Sequence, residues 1–378
     1  MKKQLIFIFI FTFLVYFLTG EGHPTPYNYF TRLADAFLHK RIYLLKNPPW
    51  LNELVPVNEK YYVVYPPMPA ILALPFVAFF GANFSQTLLS VLIGSLNSVL
   101  VFLILKTLGV GEGARFWLTA LFAFGTIHWY LTSVGSAWYL GHIAAMFFLL
   151  SAINQTLGKK QAFLIGAFLG AAYWSRLPAI LSFPFFLGPV KKNIKDISKF
   201  LLGVLIFVFL SFFYNLIRFG HPLEFGYRLI PGVLNEPWFP RGIFHLSYIG
   251  QNLKVLFLKL PVFEKKWPFV KPSWGGMAIW LTTPAFIYAL KAPLKEKLVC
   301  SSWLALLLVA VPSLVHGSWG FAQFGYRFAM DFTPFLLILT AKGVGKKLKW
   351  HHKLLVILSV LVNLWGVVWI NKFDWVGW

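Results

Sequence analysis

FLLGVLIFVFLSFFYNLIR, Phe200 to Arg218, carries no charge before its last residue. A run of about 20 such residues is what a helix needs to span the hydrocarbon of a bilayer. The pattern recurs along the whole chain, at Ser90–Leu105, Ala114–Thr132, Trp138–Leu157, Met277–Leu290, Leu298–Val315, Phe328–Ala341 and Leu354–Ile370. Between Phe163 and Pro189 lies an apolar stretch interrupted by Ser175, Arg176, Leu177 and Pro178. It is too long for one straight helix and too short for two full ones at about 20 residues each. Proline and a charge at its centre predict a kinked hairpin of two short helices.

Composition makes the same point. Of 378 residues, 58% are hydrophobic, 19% aromatic and 12% charged, against about 25% charged in an average soluble domain. A compact globule of this size cannot hide so much apolar surface, so most of it faces lipid. A soluble enzyme, a disordered tail and a disulfide scaffold are excluded together. The single cysteine, Cys300, forms no internal disulfide and reports nothing about redox compartment.

Leu5–Thr19 follows Lys2 and Lys3, as in a signal peptide. A cleaved signal ends in a small-x-small site, whereas this one runs into Tyr16, Phe17, Leu18, Thr19 and Gly20, which favours an uncleaved anchor. With the hairpin counted as two, the chain is expected to make about eleven crossings. It is then an all-α, polytopic bundle forming one domain over residues 1–378. Ala70–Phe80, after Pro66, Pro67 and Pro69, reads as a partial element that does not cross.

The charge balance of +22 comes from 34 Lys and Arg against 12 Asp and Glu. With the N-terminus inside, over half of the basic residues fall in short inner segments. They are Lys2, Lys3, Lys106, Arg115, Lys159, Lys160, Lys191, Lys192, Lys195, Lys199, Lys291, Lys295, Lys297, Lys342, Lys346, Lys347, Lys349 and Lys353. Only Glu112, Asp196 and Glu296 are acidic there. The basic excess is therefore a topology signal for a multi-pass cell-membrane protein, not a nucleic-acid footprint.

Two long loops, residues 20–69 and 219–276, then face outward, where long loops tend to carry function. In the second, Ile243, Leu246, Ile249, Leu253, Leu256 and Leu260 recur at helical spacing, followed by Phe263, Trp267, Phe269 and Trp274. This pattern fits a helix lying in the outer interface, or a hydrophobic loop packed on the bundle.

Several motifs carry no chemistry. The glycines of GVGEGA (Gly109–Ala114) lack dinucleotide spacing, and GSWGF (Gly317–Phe321) is not a nucleophile elbow. His351 and His352 sit among lysines, and no HExxH or CxxC spacing occurs, so no metal site is predicted. Gly166 and Gly170 form a GxxxG that predicts close helix packing. Asn83-Phe-Ser85 and Asn154-Gln-Thr156 fit a common sequon.

What remains is a set of polar groups near the outer boundary. Asp35 shares a helix with the apolar stripe of Leu33, Ala36, Phe37 and Tyr43, either as a solvated charge or as a shielded general base. Ionisable groups inside the spans are costly and so more telling. Arg176 interrupts the hairpin, His142 lies near the outer end of its helix, and Arg327 and Asp331 are spaced to share one helix face. The last two either neutralise each other in the bundle or face a site beside Trp319, Gln323 and Tyr326.

Two segments of the first loop, RLADAFLHKRIYL (Arg32–Leu44) and KYYVVYPPMPAILALPFVAFFG (Lys60–Gly81), resemble the GT-C superfamily of membrane glycosyltransferases. YLGHIAAMFFLL (Tyr139–Leu150), AAYWSRLPAILSFPFFL (Ala171–Leu187), YNLIRFGHPLEFGY (Tyr214–Tyr227) and FAQFGYRFAMDFTPFLL (Phe321–Leu337) are similar to its dolichyl-phosphate-mannose mannosyltransferase-like (glycosyltransferase family 39-like) members. The resemblance covers most of the chain through loose motifs. One departure is local. Many GT-C enzymes carry an Asp-Glu pair shortly after the first span, where this chain has Pro26, Tyr27 and Asn28.

The resemblance implies an inverting, single-displacement transfer of a sugar from a polyprenyl-phosphate donor to a glycan, lipid or protein hydroxyl at the extracytoplasmic face. A divalent cation is a possible helper. Candidate bases are Asp35 and, after it, Glu21. Candidate phosphate binders are Arg327, Arg228, Arg176 and Lys60, with Asp331 orienting Arg327, and His142 and Tyr65 as wall residues. Arginine suits a phosphate because its fork makes paired hydrogen bonds. Two rival classes stand beside this reading. A transporter or flippase also carries buried charges and broken helices. A non-catalytic scaffold has no need of Arg327, Asp331 and Asp35 near one boundary.

Overall fold

The computed structural model describes residues 1–190 and 193–377. Lys191 and Lys192 of the inner basic set lie outside the described residues. The protein is mostly helical, and six helices are long and apolar enough to cross a membrane. They are α1 (Lys2–Thr19), α4 (Gln86–Thr107), α7 (Ala137–Leu157), α10 (Ile194–Phe219), α13 (Lys297–Leu314) and α15 (Trp350–Asn371). Shorter helices fill the intervals: α2 (Tyr29–Leu38), α3 (Met68–Phe80), α5 (Glu112–Phe124), α6 (His128–Val134), α8 (Ala162–Tyr173), α9 (Phe183–Val190), α11 (Ile249–Leu258), α12 (Ile279–Thr282) and α14 (Thr333–Val344). Two antiparallel hairpins, β1 (Leu54–Val57) with β2 (Lys60–Val63) and β3 (Val262–Phe263) with β4 (Val270–Lys271), lie in the two long loops.

Several predicted continuous spans are broken instead. Ala114–Thr132 is divided between α5 and α6, with Gly125 capping the first. Met277–Leu290 is the short α12 followed by a 3-10 stretch from Pro284 to Lys291. Phe328–Ala341 begins as a 3-10 turn and becomes α-helical only at Thr333, where Pro334 can occupy the first turn without losing a hydrogen bond. The hairpin breaks where expected. α8 stops at Tyr173, and a 3-10 turn from Leu177 to Ser182 leads into α9.

The GxxxG reading is met in atomic detail. A Cβ on Gly166 would come within 2.0 Å of the Phe200 carbonyl, and one on Gly203 within 2.5 Å of the Phe163 carbonyl. Only glycine lets the backbones of α8 and α10 approach this closely.

The chain ends of the helices gather into two groups. At one end, Gln4 bonds Glu112, Lys342 pairs with Glu296 at 2.5 Å, and Tyr288 bonds His351 at 2.7 Å, so most of the lysine-rich segments meet. At the other, Asn371 and Trp129 bond Thr19, Ala137 bonds Tyr27, and Met68 bonds Trp174. α3 starts beside Trp174, and the residues just after it adjoin the start of α4 at this same end, leaving Phe79 and Phe80 exposed. It is a helix but does not run to the lysine-rich end. In the second loop the predicted stripe is divided: Leu246, Leu253 and Leu260 are exposed, while Leu256 is buried.

Candidate active site

The end of the bundle opposite the lysines holds an aromatic-walled cluster built from both halves of the chain. Its first part comes from the first long loop. Leu51 and Leu54 are buried and hold the intervening Glu53 at the entry to β1. The β1–β2 pairing sets Leu54 opposite Val63, and the chain leaving β2 carries Tyr65 back to the same place. The Tyr65 hydroxyl donates to the Glu53 carboxylate, and the Trp138 indole at the start of α7 donates to both its oxygens, at 3.2 and 3.1 Å. The Glu53 amide donates to the Tyr29 hydroxyl at 3.1 Å, and Tyr29 meets Tyr65 edge to face at 5.3 Å. Burial raises the Glu53 pKa, and the two side-chain donors and Arg327 hold the rise in check.

The second part comes from the segment before α14. Arg327 opens a 3-10 turn, with its guanidinium 5.3 Å from the Phe328 ring and 6.0 Å from that of Tyr139. Its Nη1 donates to the Phe321 carbonyl at 3.0 Å, while its Nε has no partner among the described residues. Among the described residues no carboxylate oxygen lies within 4.0 Å of it. Gly320, at φ +87°, passes so close that a Cβ there would sit 3.1 Å from this Nε.

Asp331 belongs to a different pair. Arg176 donates to it through Nε and Nη2, each at 2.9 Å, and His142 Nδ1 lies 2.7 Å from the same carboxylate. Asp331 and His142 are buried, and the His142 Nε2 has no partner among the described residues. Asp331 therefore neither orients Arg327, as expected, nor neutralises it, the alternative; its partners are Arg176 and His142. In a 3-10 turn residues three apart eclipse, so a residue four along points elsewhere. Arg176 also lies 5.7 Å from the Phe328 ring, so two guanidinium groups sit around one aromatic side chain.

His316, in the loop after α13, rests against Tyr227, Phe239, Phe244 and Phe328. Its Nδ1 lies 2.6 Å from the Ser318 carbonyl. Burial lowers its pKa to about 4, with Arg327 and Arg176 adding to the effect, so the ring is neutral near pH 7.

The structure brings Arg327, Arg176, Asp331, His142 and Tyr65 into this region, sets Glu21 within electrostatic reach of its Tyr139 wall, and gives Asp35, Arg228 and Lys60 other partners. Asp35 sits one turn from His39, with 3.6 Å between them, on the partly exposed side of α2. Glu21 lies 3.9 Å from His23, and burial raises its pKa. Arg228 is exposed and paired with Glu224 at 2.5 Å. Lys60 extends over the Tyr43 ring at 4.9 Å. Glu53 was not among the expected residues. Its one local signal is an acid enclosed by two leucines, Leu51 and Leu54. Among the described residues no three His, Cys, Asp or Glu side chains converge as metal ligands. No protein-family model matches the chain, and no curated protein matches it.

Proposed function

We propose that this is a membrane glycosyltransferase that moves a sugar from a polyprenyl-phosphate donor to a hydroxyl acceptor. What supports the reading is one juxtaposition. A carboxylate with a raised pKa, Glu53, and a cation without a carboxylate partner, Arg327, share an aromatic-walled cluster at the end opposite the lysine-rich segments. By the basic-loop asymmetry that end is the extracytoplasmic face. In this reading the short helices complete about eleven crossings.

Glu53, ionised, accepts the proton of the acceptor hydroxyl as that oxygen attacks the anomeric carbon. The bond from that carbon to the phosphate oxygen breaks with inversion, and the phosphate leaves with the electron pair. Arg327 meets the charge developing on the departing phosphate. Tyr65 and Trp138 fix the carboxylate and keep it from rotating out of line. Arg176, held by Asp331, supplies a second positive group beside Phe328. Glu53 takes the role that the family resemblance would give to Asp35, because among the described residues Asp35 has only a surface histidine as charged partner.

Incubating the purified protein with a panel of radiolabelled polyprenyl-phosphate sugars and hydroxyl acceptors tests the proposal. Transfer of label to an acceptor is the expected result. Movement of labelled lipid across proteoliposomes without transfer would favour a transporter, and neither would favour a scaffold.

A further inference from the structure

A buried arginine without a counter-ion ends α10. Arg218 is 5% exposed, with its guanidinium 3.9 Å from the Tyr214 ring and 4.6 Å from that of Phe219. It donates to the Val63 carbonyl at 2.6 Å, to Asn215 Oδ1 at 2.7 Å and to the Tyr214 carbonyl at 3.4 Å. All three are neutral oxygens. Among the described residues no carboxylate lies within 4.0 Å of it. A buried charge left this way is costly, because neutral acceptors solvate it without cancelling it.

Beside it is a cavity of about 30 Å³, lined by Pro66, Pro67, Trp174, Ser211, Tyr214 and Arg218 among others. Trp174 and Tyr214 are each 9% exposed, and among the described residues neither the Trp174 Nε1–H nor the Tyr214 O–H has an acceptor. Two unmet donors and one unmet positive charge therefore border one small space. That combination suits an anionic oxygen. The space admits an oxygen or two and is too small for a sugar ring. α10 is one of the six helices able to cross a membrane, and Arg218 lies in its last turn, where such a helix meets the lipid head groups.

We propose that this cavity binds the phosphate group of a membrane lipid. An oxygen of the phosphate accepts from Trp174 and Tyr214, and its charge offsets Arg218. The proposal does not depend on the transfer reaction, since the residues differ from those around Glu53 and Arg327.

Native mass spectrometry of the detergent-purified protein tests it, with added phosphatidylglycerol, added diacylglycerol or added inorganic phosphate. A retained adduct with phosphatidylglycerol alone is expected, and an adduct with inorganic phosphate alone would overturn the lipid assignment. The variants Trp174→Phe and Tyr214→Phe leave Arg218 and its backbone contacts in place. If the cavity holds only water or nothing, removing an unmet donor leaves melting temperature the same or higher and leaves lipid retention unchanged. If it holds a lipid phosphate, the double variant loses retention by about tenfold or more, as expected for hydrogen bonds to a charged group. Equal retention of phosphatidylglycerol by the wild type and the double variant, or equal retention of diacylglycerol and phosphatidylglycerol by the wild type, would overturn the site.

Discussion

The indole of Trp138 donates to both carboxylate oxygens of Glu53, across 85 residues of chain. This contact joins the first long loop to the start of α7. It holds a carboxylate in one orientation at a place where burial favours its protonated form. A group so placed is ready to take a proton when deprotonated, and the expectations below follow from it and from its neighbours.

Glu53→Gln keeps the shape and the Trp138 hydrogen bond at one oxygen while removing basicity. Turnover should fall by about 10²-fold or more, the usual scale of a general base, with melting temperature nearly unchanged. Asp35→Asn should alter turnover far less. Steady-state rates for the two variants decide between them, and the reverse ranking would return the role to Asp35.

The pH dependence carries a sign. Burial raises the Glu53 pKa, so the acid limb of the rate profile should lie above the ordinary carboxylate range of about 4.3. Because the folded state holds this proton more tightly than the unfolded state, the stability it contributes is complete below the ordinary range. That contribution declines as pH rises through the raised value. Glu53→Gln should flatten this part of the stability profile. Arg327 opposes the rise, so Arg327→Gln should move the acid limb further toward alkaline pH, and a shift toward acid would contradict the geometry.

Arg327 and Asp331 should behave independently, since Asp331 is paired with Arg176 and not with Arg327. Asp331→Asn leaves Arg176 without its carboxylate, destabilising by up to about 3–5 kcal/mol, less in so far as Arg176 is partly exposed. Arg176→Met with Asp331→Leu should recover part of that loss. Arg327→Gln should leave a folded protein with weakened donor binding, and adding Asp331→Asn should not rescue it. A double-mutant cycle scored by thermal stability and donor binding measures both couplings.

Topology is open to impermeant thiol labelling of intact cells. Cys300 is exposed at the lysine-rich end, near the start of α13. Asn58 and Pro237 are exposed in the two long loops. Cysteines placed at Asn58 and Pro237 should label from outside and Cys300 should not. Labelling of Cys300 with protection of both loops would reverse the orientation and put Glu53 on the inner face.

The sequence alone determined that the chain is helical and carries helices able to cross a bilayer. That requirement is local: a helix satisfies its own backbone hydrogen bonds, and its side chains need only be apolar over about 20 residues. The break at Ser175–Pro178 and the close packing at Gly166 were legible for the same reason, since each rests on what one short segment can do. Tertiary structure decided the partners. Asp331 meets Arg176 from 155 residues away instead of Arg327, because the backbone tightens to a 3-10 turn and α8 ends with Arg176 facing it. Glu53 became the enclosed carboxylate because the β1–β2 hairpin folds its loop against α2 and α7. Asp35, whose apolar stripe had drawn notice, turned partly outward instead. Burial of a single acid depends on which distant surfaces close over it, and no spacing within its own segment encodes that.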